Sequence, residues 1–324
     1  MSFPSARLDA GDEVLVLSHG YPAVRNAIRY VTEPTKAPSF SAATRRDSGS
    51  TRNTNLLGSA SMRWRQSCCK QITEAVIPFP RPQSAAIVAG IGAALTPRTR
   101  IAVIDHITSP SALVLPIAEI VELCHSAGVP VLVDGAHAPG QISLDLRAIG
   151  ADWYVGNCHK WLCAPKGCAF LWAAPERQAD LHPVTISHGF GKGFLAEFEW
   201  TGTADRSAFL CVEAAIDFHR RLGGRALMAR NIALAADAVS LLCRLLNTEP
   251  GAEDAMAASM GVVRVPLTVP ATPERAAELR ERLLDRRADA PLHAINGGIW
   301  LRISAHAYNE IEDYERLAEV IRGL

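Results

Sequence analysis

Apolar residues in this chain gather into short runs closed by a polar residue, and these runs alternate with stretches in which apolar positions recur at helical spacing. Val14–Leu17, Ile101–Asp105, Val131–Val133 ending on Asp134, and Trp153–Val155 read as buried strands, because each is a brief apolar run bounded by turn residues. A further strand is expected at Ala75–Pro78. Ala23–Val31, Pro82–Leu95 and Leu115–Ser126 read as the helices between them. Alternation of this kind predicts an α/β fold on a mostly parallel sheet. Ala208–Leu222 is expected to be the helix that closes this large domain, residues 1–222. Beyond it the pattern changes: helices at Ala226–Leu246 and Pro273–Arg287 alternate with strands at Val262–Leu267 and Ile299–Ile303, which predicts a small α+β domain over 223–324.

One stretch breaks the pattern. Residues 35–75 are rich in Ser, Thr and Arg, with no sustained periodicity, and read as a disordered insertion in the large domain. It is either a lineage-specific insertion or a mistranslated segment of the gene. Composition adds mainly exclusions. Lys plus Arg and Asp plus Glu both number 33, so nothing points to nucleic acid as a partner. No apolar run approaches a membrane span, and no signal pattern opens the chain. The eight Cys lack a repeated CxxC framework, which reads as reduced thiols in a cytoplasmic protein rather than disulfides or a metal site.

The chemistry gathers in Val129–Leu171. Ligands of parallel sheets lie at the carboxyl ends of strands. Asp134 ends one strand there, and Lys160 follows another, so both are expected at one cleft. A carboxylate and a partly desolvated lysine in that relation suit pyridoxal 5'-phosphate. The lysine forms a Schiff base with its aldehyde, and the carboxylate keeps its ring nitrogen protonated, which makes the ring an electron sink.

The motifs DGAHAPGQ, GNCHKW and EFEWTGTAD, at 134–141, 156–161 and 197–205, resemble the class V aminotransferase family of fold-type I pyridoxal phosphate enzymes. The likeness is to the branch of isopenicillin N epimerase and cysteine-conjugate lyases, and it extends over 11–34 and 76–324. The N-terminal portion normal to the family, with its small-residue phosphate turn, is expected to be missing. By this resemblance His137 reaches the phenolic oxygen of the cofactor, and Asn157 and His159 bind its phosphate. Tyr21 takes the position where an aromatic ring stacks on the pyridine, or is simply packed in its turn. Thr108 and Ser109 are candidate polar contacts from the turn after Asp105, or only cap that loop. Thr203 lies in the turn that crosses to a second subunit's cofactor phosphate, which implies a homodimer. Arg302, an arginine in an otherwise apolar strand ahead of Tyr308-Asn309, would hold the α-carboxylate of an amino-acid substrate.

The expected activity is that of an epimerase, lyase or aminotransferase acting through Lys160, with a truncated, weakly catalytic relative as the alternative. A cysteine desulfurase would carry a nucleophilic Cys within Ala288–Ile299, and none is there. A dehydrogenase would need G-x-G-x-x-G after its first strand, which is also lacking.

Overall fold

The computed structural model describes residues 8–32 and 71–324. The expected insertion therefore lies outside the described residues, apart from its last five. Those five form a strand.

The elements run β1 (Glu13–Leu17), α1 (Pro22–Thr32), β2 (Gln71–Ala75), α2 (Ser84–Ala94), β3 (Thr99–Asp105), α3 (Ile117–Ser126), β4 (Val131–Asp134), α4 (Leu146–Ile149), β5 (Trp153–Asn157) and β6 (Ala169–Ala173). The first sheet has the order β2-β1-β3-β4-β5-β6, parallel throughout except for β6, which returns antiparallel beside β5. Its central strands are buried on both faces because successive side chains point to opposite sides. Leu15, Leu17, Ala102, Ile104, Val131 and Val133 face α2 and α3, packing on Ile87, Ile91, Ile120 and Val121. Val14, Val16, Ile101, Val103 and Leu132 form the opposite layer with Ile28 of α1.

Helices α5 (Phe194–Glu199), α6 (Ser207–Leu210) and α7 (Val212–Arg221) then lead to the long α8 (Arg225–Leu246). A second, antiparallel sheet follows, ordered β7-β9-β8, from β7 (Met260–Arg264), β8 (Leu292–Ile295) and β9 (Gly298–Ser304). It packs with α8, α9 (Pro273–Asp285) and α10 (Ile311–Arg322) around Leu242, Val263, Leu279, Leu301 and Ala318. Local signals fix the starts of these helices. Thr272 accepts the Arg275 N–H with Pro273 in the first turn, and Glu310 and Asp313 form a reciprocal capping box. Met260, Val262 and Trp300 join the core of the first sheet, so the second sheet is anchored onto the first.

Several expectations need correction. The second strand is Gln71–Ala75, not Ala75–Pro78, so the insertion cannot extend to 75. The helix expected over Ala208–Leu222 is two helices that meet at Cys211. Strands β6 and β8 and helix α10 were not anticipated. Helix α8, of 22 residues, is long and apolar enough to cross a membrane by length and composition alone. Its apolar positions Ala238, Leu241, Leu242 and Leu246 belong to the core of the second sheet, which accounts for them without a membrane.

Candidate active site

Parallel strands bring their carboxyl ends to one edge, and a cavity of about 720 Å³ opens there. Its walls come from the segments just beyond the strands. Tyr21 follows β1, Asp105 ends β3, Asp134 ends β4 with His137 beyond it, and Asn157 ends β5 with His159 and Lys160 next. The structure thus brings together seven of the residues named from the sequence: Tyr21, Ser109, Asp134, His137, Asn157, His159 and Lys160.

Lys160 Nζ is 3.2 Å from His137 Nε2. Burial lowers the lysine's pKa, against the opposing charges of Asp134 and Asp105. His137 is buried, and desolvation, with help from the positive charges of Lys160 and Arg302, pushes its pKa down to about 3. It is therefore a neutral imidazole at physiological pH. Asp134 is buried too; its Oδ1 accepts the Ala136 N–H at 3.0 Å, and burial raises its pKa despite that bond and Lys160. His159 donates Nδ1–H to the Cys168 carbonyl at 2.7 Å, across the antiparallel step between β5 and β6, and this fixes the ring at the cavity wall.

The tight turn after Asp134 is dictated by packing. Gly140 has φ +81°, and a Cβ there would lie 2.6 Å from the carbonyl carbon and oxygen of Trp161. The loop after β4 is thus pressed against the backbone beside Lys160, and only glycine permits that approach.

Two residues enter the site that the sequence reading did not place in it. Asp105 is the direct cross-strand neighbour of Asp134, and both carboxylates line the cavity. Burial and the Asp134 charge raise the Asp105 pKa well above its ordinary value. Its signal was available, since it ends a strand just as Asp134 does. Trp161, directly after the lysine, donates its indole N–H to His137 Nδ1 at 3.3 Å.

The remaining sequence candidates lie differently. Thr108 does not line the cavity: it is fully buried, and its hydroxyl bonds Ser111 Oγ and the Leu113 N–H, which is the loop-capping alternative. Its neighbour Ser109 does reach the wall. Arg302, on β9, donates Nη1 to the Ser109 carbonyl at 2.6 Å and to Ser109 Oγ at 3.1 Å, while its Nε is buried with no partner. A buried guanidinium N–H left unpaired is costly, and an incoming carboxylate would satisfy it. Thr203 is exposed and does not line the cavity in the single chain. Among the described residues, no group of three or more His, Cys, Asp or Glu is placed to hold a metal ion.

This donor set fits pyridoxal 5'-phosphate. It offers an amine with depressed basicity, a buried carboxylate ending the neighbouring strand and a neutral imidazole 3.2 Å from the amine.

The aminotransferase class-V model matches residues 58–317. The chain belongs to the class-V aminotransferase family. The match opens within the segment set aside as an insertion. A probable chloroplastic L-cysteine desulfhydrase of Arabidopsis thaliana is 32% identical over all of this chain and 66% of its own length. The isopenicillin N epimerase of Streptomyces clavuligerus is 38% identical over 74% of this chain and 64% of its own. The chain thus spans just under two thirds of these curated relatives. Among solved structures, the cystine C–S lyase C-DES superposes with TM-score 0.69 at 21% identity, covering 97% of this chain and 75% of that one. The cysteine desulfurase CsdA of Escherichia coli gives 0.70 at 16% identity, over 100% and 74%. The fold is the one these class-V relatives share, as the sequence led us to expect: a mostly parallel sheet with a small antiparallel sheet beside it. The region where a desulfurase would need its cysteine is here the strand β8 and its tight turn into β9.

Proposed function

We propose that the chain is a pyridoxal phosphate enzyme that cleaves the Cβ–S bond of L-cysteine or an S-linked conjugate of it. The observation that carries this reading is Lys160, a lysine of depressed basicity 3.2 Å from a neutral His137 at the carboxyl edge of the sheet. The bound cofactor, held through Lys160, supplies the electron sink for a negative charge at Cα. Each residue then has a task. Asp134 would hold the ring nitrogen, and Asn157 and His159 would hold the phosphate. Tyr21 would cover one side of the ring, and Arg302 would hold the substrate carboxylate. Lys160 would be the base for the Cα proton, and sulfide would leave with the Cβ–S electron pair. With one water, L-cysteine gives pyruvate, ammonia and hydrogen sulfide. The relatives named as L-cysteine desulfhydrases support this choice. So does the economy of the site, since elimination needs a base on one face only.

An epimerase is the second reading, favoured by the 38% identity to isopenicillin N epimerase. It needs a second acid on the opposite face of Cα. Asp105, a buried carboxyl of raised pKa in this cavity, is the residue on offer.

The working unit in this reading is a homodimer, with Thr203 turned toward the partner's cofactor phosphate. Exposed Phe190, Leu195, Trp200 and Leu210 flank Thr203 along the chain, and Leu195 and Leu210 are 79% and 81% exposed. Apolar side chains gathered in this way favour a covering surface, and a second copy is the commonest one.

The test is to incubate the purified protein and cofactor with L-cysteine, cystine and an aminoadipyl-cysteinyl peptide, and to assay pyruvate, sulfide and α-proton exchange. Pyruvate with equimolar sulfide supports the lyase. Exchange without elimination supports the epimerase. Neither, with the cofactor bound, supports the weakly catalytic relative.

A further inference from the structure

We propose that Trp161 is a positioning residue that fixes the tautomer of His137 and thereby delivers Lys160 as a free amine. The inference concerns hydrogens, and two contacts determine it. The indole N–H of Trp161 reaches His137 Nδ1 at 3.3 Å with good donor geometry. Indole is a donor only, so Nδ1 must accept. His137 is neutral, and a neutral imidazole carries one proton, so that proton is on Nε2. Nε2 faces Lys160 Nζ at 3.2 Å. Two donors cannot face each other there. Lys160 must accept through its lone pair, and the alternative, an ammonium donating to His137, is excluded as long as Trp161 holds Nδ1. An amine with its lone pair free is the form that adds to an aldehyde.

The indole is itself held. Its ring stacks on His306, just after β9, at 5.8 Å and 18° between planes. The His306 Nε2 is in turn 3.6 Å from Cys163 Sγ. The backbone of Trp161 is pinned by the close approach of Gly140. The second sheet's segment therefore reaches His137 through one aromatic contact. Aromatic packing alone would be served equally by Phe at 161; the hydrogen bond requires the indole nitrogen.

That the His137 ring serves a cofactor rests on the proposed function, but its tautomer does not, and the experiment separates the two. The full chain, free of cofactor, is labelled with ¹⁵N-histidine, and the ring nitrogens of His137 are read by long-range ¹H–¹⁵N correlation, assigned by their loss in His137→Gln. The expected result is Nε2–H with Nδ1 unprotonated near neutral pH. In Trp161→Phe the signals should move toward a mixture of tautomers. With cofactor loaded, the pH midpoint of the absorbance above 400 nm should shift in the same variant. If Trp161→Phe fails to fold, exchange of the Trp161 indole proton in the wild type and in His137→Phe replaces it, and loss of the acceptor should speed exchange at least tenfold. An Nδ1–H tautomer in the wild type, an unchanged tautomer in Trp161→Phe, or an exchange rate indifferent to His137 would overturn the proposal. A correct tautomer in a protein that takes up no cofactor would uphold it and overturn the proposed function instead.

Discussion

Removing Arg302 should separate amino acids from simple amines. Its guanidinium spends Nη1 on Ser109, twice, and leaves Nε buried and unpaired. A substrate carboxylate at that edge would gain a charge-assisted bond in a partly desolvated place, where hydrogen bonds to charged groups are strongest. Truncating one partner of such a pair costs about 2–5 kcal/mol, much of it from the charge left behind. At about 1.4 kcal/mol per decade this is a loss of roughly 30-fold to 4,000-fold in amino-acid affinity. Arg302→Ala also deprives Ser109 of its partner, so melting must be checked, but cofactor binding should survive because Arg302 borders the cavity through Ser109, away from Asp134, Asn157 and Lys160 in sequence and strand. Arg302→Lys should fall between, since a point charge cannot serve both Ser109 and a bidentate carboxylate. The assay is a spectral titration of the loaded protein with L-cysteine and with cysteamine, which lacks the carboxylate. The wild type should prefer L-cysteine strongly, and Arg302→Ala should lose that preference. If Arg302→Ala binds L-cysteine within threefold of the wild type, or the wild type takes cysteamine equally well, Arg302 only ties β9 to the turn after β3.

Asp134→Asn should keep the cofactor but reduce turnover by at least two orders of magnitude, because the charge that sustains the electron sink is gone; steady-state kinetics at matched cofactor occupancy read this directly. Gly140→Ala should destabilise the protein by several kcal/mol, from its positive φ together with the 2.6 Å approach to Trp161. Denaturant unfolding measures that loss, and a change under 1 kcal/mol would mean the loop after β4 is free to move.

What was legible in the sequence follows burial. Strands β1, β3 and β4 are buried at almost every position, and their apolar runs Val14–Leu17, Ile101–Ile104 and Val131–Val133 announce themselves. Strand β2 is at the sheet edge, largely unburied, and its Gln-Ile-Thr-Glu-Ala carries no such mark. Asp134 and Lys160 were readable because their place in the sheet follows from the ends of their own strands. The pairing of Asp105 with Asp134 depends on the register of β3 against β4. The grip of Arg302 on Ser109 joins residues 193 apart in sequence. Neither has a local signature. Thr108 shows the converse: a polar residue in the right turn whose hydroxyl is turned inward to hold that turn.

The proposed function depends on Lys160 being the residue that takes the cofactor. The direct measurement is to incubate the protein with pyridoxal phosphate, reduce with borohydride, digest, and locate the modified lysine by mass spectrometry. Burial depresses the Lys160 amine, and Lys160 lines the cavity while Lys166 and Lys192 do not, so a phosphopyridoxyl group is expected on the peptide containing Lys160, with those two unmodified and the label gone in Lys160→Ala. A label spread evenly over exposed lysines, or persisting in Lys160→Ala, would contradict the account.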